Sequence, residues 1–430
     1  MPQAGRTGPG RDPAGVASAV SPILAGAAAV LDAGDVRWAL LRGALGDDAG
    51  DVDVLVHPAD RATAEAVLAA SGFARWPSWG RATHRFHLAY DHGSDTWVKV
   101  DLVTEIAFGP FGELATDAAP AVLARRLPGG DAPALAPDDG FWALLLHCLL
   151  DRGTVPSRHR DALAHLATTG DVLGGALLAA VSPVLPGGEA ADLVRLAAAA
   201  DVPALEAAAG PLRERWLRAD RAAHRRRRRG RVARRLTVVP IVLGRRGVSV
   251  ALLGPDGAGK STLAAALVAT PALRARSVYA GLYGAAAPRP SIPVPGLRLG
   301  ARLAHLWRLR LRAAAWRARG RVVVFDRHGL DAAAAPARPE GGPARRARRR
   351  LLAAALPQPD VLVVLDAPAE VLLARKGEHD VPTLAAQRAR YLALADRPGA
   401  AVVDASRDAE TVRRDVTRVV WQRWSGRWSA

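Results

Sequence analysis

The chain has 430 residues, half of them hydrophobic, and carries a net charge of +18. That is long enough for two or three domains, each able to bury a core. No run approaches the ~18 uninterrupted apolar residues of a membrane span, and the opening "GRTGPGRDPAG" lacks the basic-then-apolar pattern of a secretory signal. The single cysteine, Cys148, sits in "FWALLLHCLL", cannot form an internal disulfide and reads as a buried, inert thiol. The expectation is a cytoplasmic protein.

Residues 1–13 read as disordered. From 14 to 135 the pattern is mixed, with short strands "RWALL" and "DVDVLV", a helix "DRATAEAVLAASGF", then strands "HRFHLAY" and "TWVKVDLV". Asp51 and Asp53 alternate along one strand, so both carboxylates point to one face. "VKVDLV" offers Asp101 on another strand, with Lys99 on the same face and Val98, Val100 and Leu102 opposite. Three carboxylates on adjacent strands can hold divalent metals for in-line nucleotidyl transfer. A solvent-facing acidic strand end is the plainer reading. Gly43, then Asp-Val-Asp, then a distant strand aspartate resembles the nucleotidyltransferase superfamily, in a branch patterned "Leu-Leu-Lys-Gly…Asp-Ile-Asp-Leu-Leu-Val". Here Arg42-Gly43-Ala44 stands in place of Lys-Gly or Gly-Ser, and the spacer before Asp51 is short. The resemblance implies a nucleotidyltransferase-like α+β domain, either active or inactive.

Residues 136–220 read as a helical extension. An arginine-rich linker at 221–235 follows, with nine arginines and no acid in "RAAHRRRRRGRVARR". A solvated charged helix or linker would account for it. So would docking to nucleic acid or an anionic membrane, or holding a polyphosphate at the domain boundary.

From 236 to 430 strands alternate with helices, which argues a doubly wound parallel sheet. "GPDGAGKS" fits G-x-x-x-x-G-K-[ST], after the apolar strand "VSVALL" and before the helix "TLAAALV". Glycines let backbone N–H groups curl round phosphates, and the helix start adds its dipole. Lys260 supplies a point charge and Ser261 a hydroxyl for Mg²⁺. Only three lysines occur among 59 basic residues, and one of them stands at this position. Gly254, Asp256, Gly257, Ala258, Gly259, Lys260, Ser261 and Thr262 are therefore the candidate ATP-binding residues. "RVVVFDRH" ends a strand in Asp326 and Arg327, where parallel sheets gather ligands. Asp326 can hold Mg²⁺ and Arg327 can clamp a phosphate; a strand-end salt bridge is the alternative. The helix before Gly377 ends in Arg375 and Lys376, either a lid over the phosphates or cations complementing a helix terminus.

"GPDGAGKSTL", "VVVFDRH", "PDVLVVLDAPAEVLLAR" and "AVVDASRDAETV" together resemble the thymidylate kinase family over most of residues 247–425. The resemblance implies a P-loop kinase using ATP and Mg²⁺, with Asp326 and Arg327 at the acceptor phosphate and a catalytic lid near Arg375. It also leaves open a homodimer. Two departures remove dTMP as an expected acceptor. "VYAGLYGAAAPRP" stands where the family has an Arg-Glu-Pro-Gly-type stretch, and the lid lacks repeated arginines. The expected partner is thus a small phosphorylated acceptor of unspecified identity. A nucleotide-binding regulatory or tethering module is the competing reading.

Overall fold

The structure is a computed structural model. It describes residues 22–42, 51–76, 83–129, 131–236, 239, 247–280, 297–331, 342, 347, 351, 354–377 and 379–428. Gly43, Ala44, the side chain of Asp51 and the "GLYGAAAPRP" stretch lie outside the described residues.

The N-terminal sheet is built from β1 (Trp38–Leu40), β2 (Asp51–Val56), β3 (Ala74–Trp76), β4 (Arg85–Asp91) and β5 (Thr96–Val103), in the order β1-β2-β5-β4-β3. Only β2 and β5 run parallel. Strand alternation decides what each face does. Val52, Val54, Val98, Val100 and Leu102 pack under α1 (Pro22–Ala33) and α2 (Arg61–Ala70). The opposite face is divided along its length. At one end Ala39, Leu55 and Val103 join the core of the helical extension. At the far edge Ala74, Leu88, Tyr90 and Trp97 join the core of the C-terminal domain. Asp53, Lys99 and Asp101 belong to this same face, between the two apolar docks.

Beyond the sheet a small hairpin, β6 (Ala107–Phe108) with β7 (Leu114–Ala115), leads into α3 (Ala119–Ala124). The helical extension follows: α4 (Pro137–Leu146), a π turn at His147–Arg152, α5 (Ser157–Thr169), α6 (Ala176–Val181), α7 (Gly187–Ala198) and α8 (Val202–Ala219). Cys148 is buried there, and burial pushes its thiol up to about 11, as an inert side chain requires.

The arginine run, expected as a solvated charged helix or linker, is a helix, α9 (Arg221–Leu236), docked along one side. Ala223 and Gly230 are buried, and a Cβ on Gly230 would stand 2.9 Å from Phe111 Cβ. The inward arginines have internal partners. Arg226 donates to the Glu113 carbonyl at 2.9 Å, and Arg234 stacks 4.4 Å over the Phe111 ring. Glu113 itself is fully buried and also accepts from Arg213 at 2.8 Å.

The C-terminal domain carries a five-stranded parallel sheet: β8 (Val248–Leu253), β9 (Arg276–Tyr279), β10 (Val322–Asp326), β11 (Val361–Asp366) and β12 (Ala400–Asp404). Their order is β12-β11-β8-β10-β9. The described helices are α10 (Lys260–Ala269), α11 (Leu297–Ala318), α12 (Ala369–Lys376), α13 (Val381–Leu392) and α14 (Ala409–Ser425). Helices cover both faces, so β8 is buried along its whole length and reads as a continuous apolar run.

The two halves meet through aromatic rings. Trp76 stacks on Trp428 at 4.7 Å and meets Trp424 edge-on at 5.5 Å; Trp97 meets Trp421 edge-on at 5.1 Å. Arg274 lies 5.0 Å over the Trp76 ring. An ion pair between Arg413 and Asp95 and a hydrogen bond between His92 Nε2 and Asp415 Oδ1 at 2.8 Å flank the rings. Among the described residues no helix is long and apolar enough to cross a membrane.

Candidate active site

Strand β8 delivers the chain to the carboxyl edge of the parallel sheet, and the glycine turn begins there. Gly254, Gly257 and Gly259 all have positive φ, at 153°, 89° and 83°. Two of them are also closed to any side chain. A Cβ on Gly254 would lie 2.7 Å from the Leu365 carbonyl oxygen, and one on Gly257 2.9 Å from that of Leu372. Only glycine satisfies both the dihedral and the approach. At Gly259, the N-cap of α10, nothing lies within 4 Å of an added Cβ, so the mouth of the turn is open. The α10 N-terminus points its unpaired N–H groups into that space.

Lys260 is 6% exposed and its Nζ donates to the carbonyls of Gly254 and Pro255, both at 2.7 Å. Burial, reinforced by the nearby Arg327 charge, pushes its ammonium down to about 8. Three carboxylates, Asp331, Asp256 and Asp326, act on it from the opposite direction. The turn, Lys260 and the end of β10 therefore form one electrostatic unit.

Asp326 is in register with Leu252 of β8 on one side and Tyr279 of β9 on the other. Its Oδ1 is buried and makes no hydrogen bond. Arg327 adopts φ +70°, a strained left-handed conformation for a non-glycine residue. Its guanidinium donates to Asp256 Oδ1 at 2.9 Å, bridging the β10 edge to the glycine turn. Burial pushes Asp256 up, but the Arg327 hydrogen bond and the charges of Lys260, Arg327 and Lys376 hold it below the ordinary carboxylate value. His379 stands 3.9 Å from the other Asp256 oxygen.

Arg375 faces elsewhere. Its guanidinium donates to the carbonyls of Ala405 at 2.7 Å and Ser406 at 3.3 Å, and so fastens α12 to the loop after β12. Asp366 at the end of β11 accepts a two-pronged contact from Arg388 of α13, at 2.6 and 2.8 Å. Asp331 is a further member of the site that the sequence reading did not single out. Its Oδ2 accepts from the His328 N–H at 2.9 Å and its Oδ1 from the Tyr391 hydroxyl at 3.0 Å. Burial raises its carboxyl above the usual range. The only signal in the sequence was its position five residues beyond Asp326, in "DRHGLD".

These residues fit a magnesium nucleotide. The turn is a glycine cradle, Ser261 stands exposed in the first turn of α10, and Asp326 keeps an uncommitted carboxylate oxygen at the adjacent strand end.

The N-terminal carboxylates behave differently. Asp53 and Asp101 are direct partners across β2 and β5, so they share a face. Each has a protein partner on one oxygen, although Asp101 Oδ1, like Asp326 Oδ1, is buried and makes no hydrogen bond. Arg42 donates to Asp53 at 2.6 Å, and His84 Nδ1 lies 2.9 Å from Asp101 Oδ2. Burial pushes Asp53 up, and the Arg42 charge and hydrogen bond bring it below its ordinary value. Among the described residues no group of three or more His, Cys, Asp or Glu is placed to hold a metal ion. The metal site expected from Asp51, Asp53 and Asp101 is thus not assembled by the two carboxylates whose side chains are described. Their neighbours are cationic or imidazole groups.

No protein-family model matches the chain. A "Probable thymidylate kinase" from Methanothermobacter thermautotrophicus (strain Delta H) is 41% identical over 68 residues. The match covers 15% of this chain and 35% of that relative, so the chain spans about a third of the relative's length. A solved thymidylate kinase from Candida albicans is 19% identical, covering 41% of this chain and 91% of its own, at a TM-score of 0.32. A score that low carries no weight. The similarity to thymidylate kinases is therefore one of sequence, over a short region.

Proposed function

We propose that the C-terminal domain transfers a phosphoryl group from ATP to a small, phosphorylated, nucleotide-like acceptor. The observation that carries this reading is the pairing of a glycine turn and Lys260 with a strand-end aspartate whose Oδ1 is buried and unbonded. Magnesium-nucleotide binding would use that aspartate alone; the Arg327 guanidinium that follows it in the chain is what a second phosphate calls for. The short match to a probable thymidylate kinase supports the same reading.

In this reading the turn N–H groups and Lys260 hold the donor phosphates. Lys260 leaves the Gly254 and Pro255 carbonyls to do so. Ser261 and Asp326 would hold Mg²⁺, which when bound offsets phosphate charge and draws the donor oxygens into line. Arg327, anchored on Asp256, presents its guanidinium where donor and acceptor phosphates meet. Arg375 holds the β12 loop against α12, a positioning role rather than a catalytic one.

For the N-terminal domain a nucleotidyltransferase-like fold agrees with the paired Asp53 and Asp101. With Arg42 and His84 on those carboxylates, we assign no metal-dependent step to it.

The test is an acceptor screen on the full chain with Mg·ATP and a panel of nucleoside and sugar monophosphates, following ADP release. Turnover with one acceptor class, lost in Lys260→Ala, is the expected result. Tight ATP binding with no acceptor turned over would leave a nucleotide-binding module instead.

A further inference from the structure

We propose that the outward face of α11 docks on the surface of an anionic phospholipid bilayer. From 297 to 318 the helix contains no acidic residue. Its inward stripe is accounted for: Leu306 and Ala313 are buried, with Leu299, Leu303, Leu309 and Trp316 packed beside them over the sheet. At 3.6 residues per turn, Gly300, Ala304, Trp307, Leu311 and Ala315 then fall on the opposite side. Trp307 is 51% exposed, and Leu311, at 63%, is the most exposed large hydrophobic side chain among the described residues. Arg308 and Arg312 are exposed along one flank of that ridge. Arg310 lies 5.0 Å over the Trp307 ring on the other flank.

An apolar crest with a tryptophan and an arginine rim is the arrangement of a helix lying in a membrane interface. The rings and leucines enter the headgroup boundary while guanidiniums contact anionic lipid. The charge argues against a second copy of the chain, because a two-fold contact through this face would bring the arginine rims together. A nucleic acid would engage the arginines but offers no apolar layer for Leu311. The outward stripe of α9 (Arg221, Arg225, Arg228 and Arg235) is a second acid-free strip, but it lacks an aromatic anchor.

The experiment is co-sedimentation of the full chain with phosphatidylcholine vesicles and with vesicles in which a third of the lipid is phosphatidylglycerol. Binding to the anionic vesicles alone is expected, weakened by high salt. Leu311→Glu lowers that binding about tenfold or more, and Arg308→Gln with Arg312→Gln about fivefold per arginine removed. Bromine-labelled lipid should quench fluorescence in the wild type and lose part of that effect in Trp307→Phe. These side chains are exposed, so circular dichroism should match the wild type and the melting temperature should fall at most slightly, where Arg312→Gln removes a guanidinium 4.5 Å over the Trp316 ring. The proposal is overturned by no sedimentation, by equal binding to neutral vesicles, or by undiminished binding of Leu311→Glu. A dimer that Leu311→Glu dissolves, or an oligonucleotide that binds wild type and variant alike in place of lipid, overturns it in favour of those partners.

Discussion

The depressed ammonium of Lys260 makes nucleotide binding proton-linked. In the free protein it titrates near 8, against an ordinary value of 10.5, because it is buried among carbonyls. Contact with triphosphate oxygens favours the charged form and returns it to the ordinary range or above. At pH 8 the free lysine is then about half protonated and the bound one almost fully, so binding takes up about half a proton; the uptake is about 0.1 at pH 7 and about 0.9 at pH 9. The terminal phosphate of the nucleotide adds little there, since phosphate monoesters have already lost their second proton near pH 6. Calorimetric titration of Mg·ADP at pH 8.5, in buffers of different ionisation heat, reads the uptake as a slope. Lys260→Arg is the control, because a guanidinium stays charged throughout and its slope should vanish. A flat wild-type result, or an equal slope in Lys260→Arg, refutes the reasoning. The same group links pH to folding. Its folded pKa lies below its unfolded one, so the unfolded chain holds the proton longer. Its contribution to stability therefore rises between pH 8 and 10.5, by about 3 kcal/mol at most.

Asp326→Asn should lower turnover by about 100-fold or more while nucleotide affinity changes little, as steady-state kinetics beside calorimetry will show. Gly257→Ala meets both a φ of 89° and the Leu372 carbonyl at 2.9 Å. It should abolish nucleotide binding and destabilise the domain by about 1–3 kcal/mol in urea titrations. Trp424→Ala removes a fully buried ring at the junction of the two halves, a loss of about 3–5 kcal/mol that should lower the melting of both. Arg42→Ala takes away the charge that holds Asp53 low. The wild-type stability present above the unfolded carboxylate pKa and lost as pH falls through the folded one should shrink, and acid unfolding should begin at higher pH than in the wild type.

The glycine turn was legible because its chemistry is local. Left-handed glycines, a lysine and a helix start must follow one another in the chain, and a buried parallel strand announces itself as "VSVALL". Parity likewise set Lys99 and Asp101 against the valines within β5; that Asp101 stands beside Asp53 on the same face comes from the β2–β5 register, which parity within one strand does not fix. What parity could not give was the company those carboxylates keep. Arg42 and His84 reach them from outside the strands. Arg375 was expected as part of a lid, but its carbonyl partners lie 30 residues on in the chain, and nothing in the helix sequence points to them. The ties between Arg327 and Asp256 and between Tyr391 and Asp331 span 71 and 60 residues and exist only once the sheet is assembled. The arginine run was read as a helix or linker because charge hides packing; its one glycine, closed off by Phe111, marks the docked side.

The tryptophan junction also sets an order of events during synthesis. His92 and Asp415 are 323 residues apart; Trp76 meets rings of α14 and just beyond it, and Trp97, beside Tyr90 of its own sheet, meets Trp421 of α14. The N-terminal sheet can pair its strands as soon as it leaves the ribosome. Until α14 has been translated, however, Trp76, Leu88, Tyr90 and Trp97 stand bare along its β3–β5 side. Nascent chains held in that interval offer a sticky aromatic surface beside a strand edge, the kind of surface that recruits chaperones or seeds misassembly. Slower synthesis across the intervening three hundred residues should therefore lengthen the time that this surface is bare.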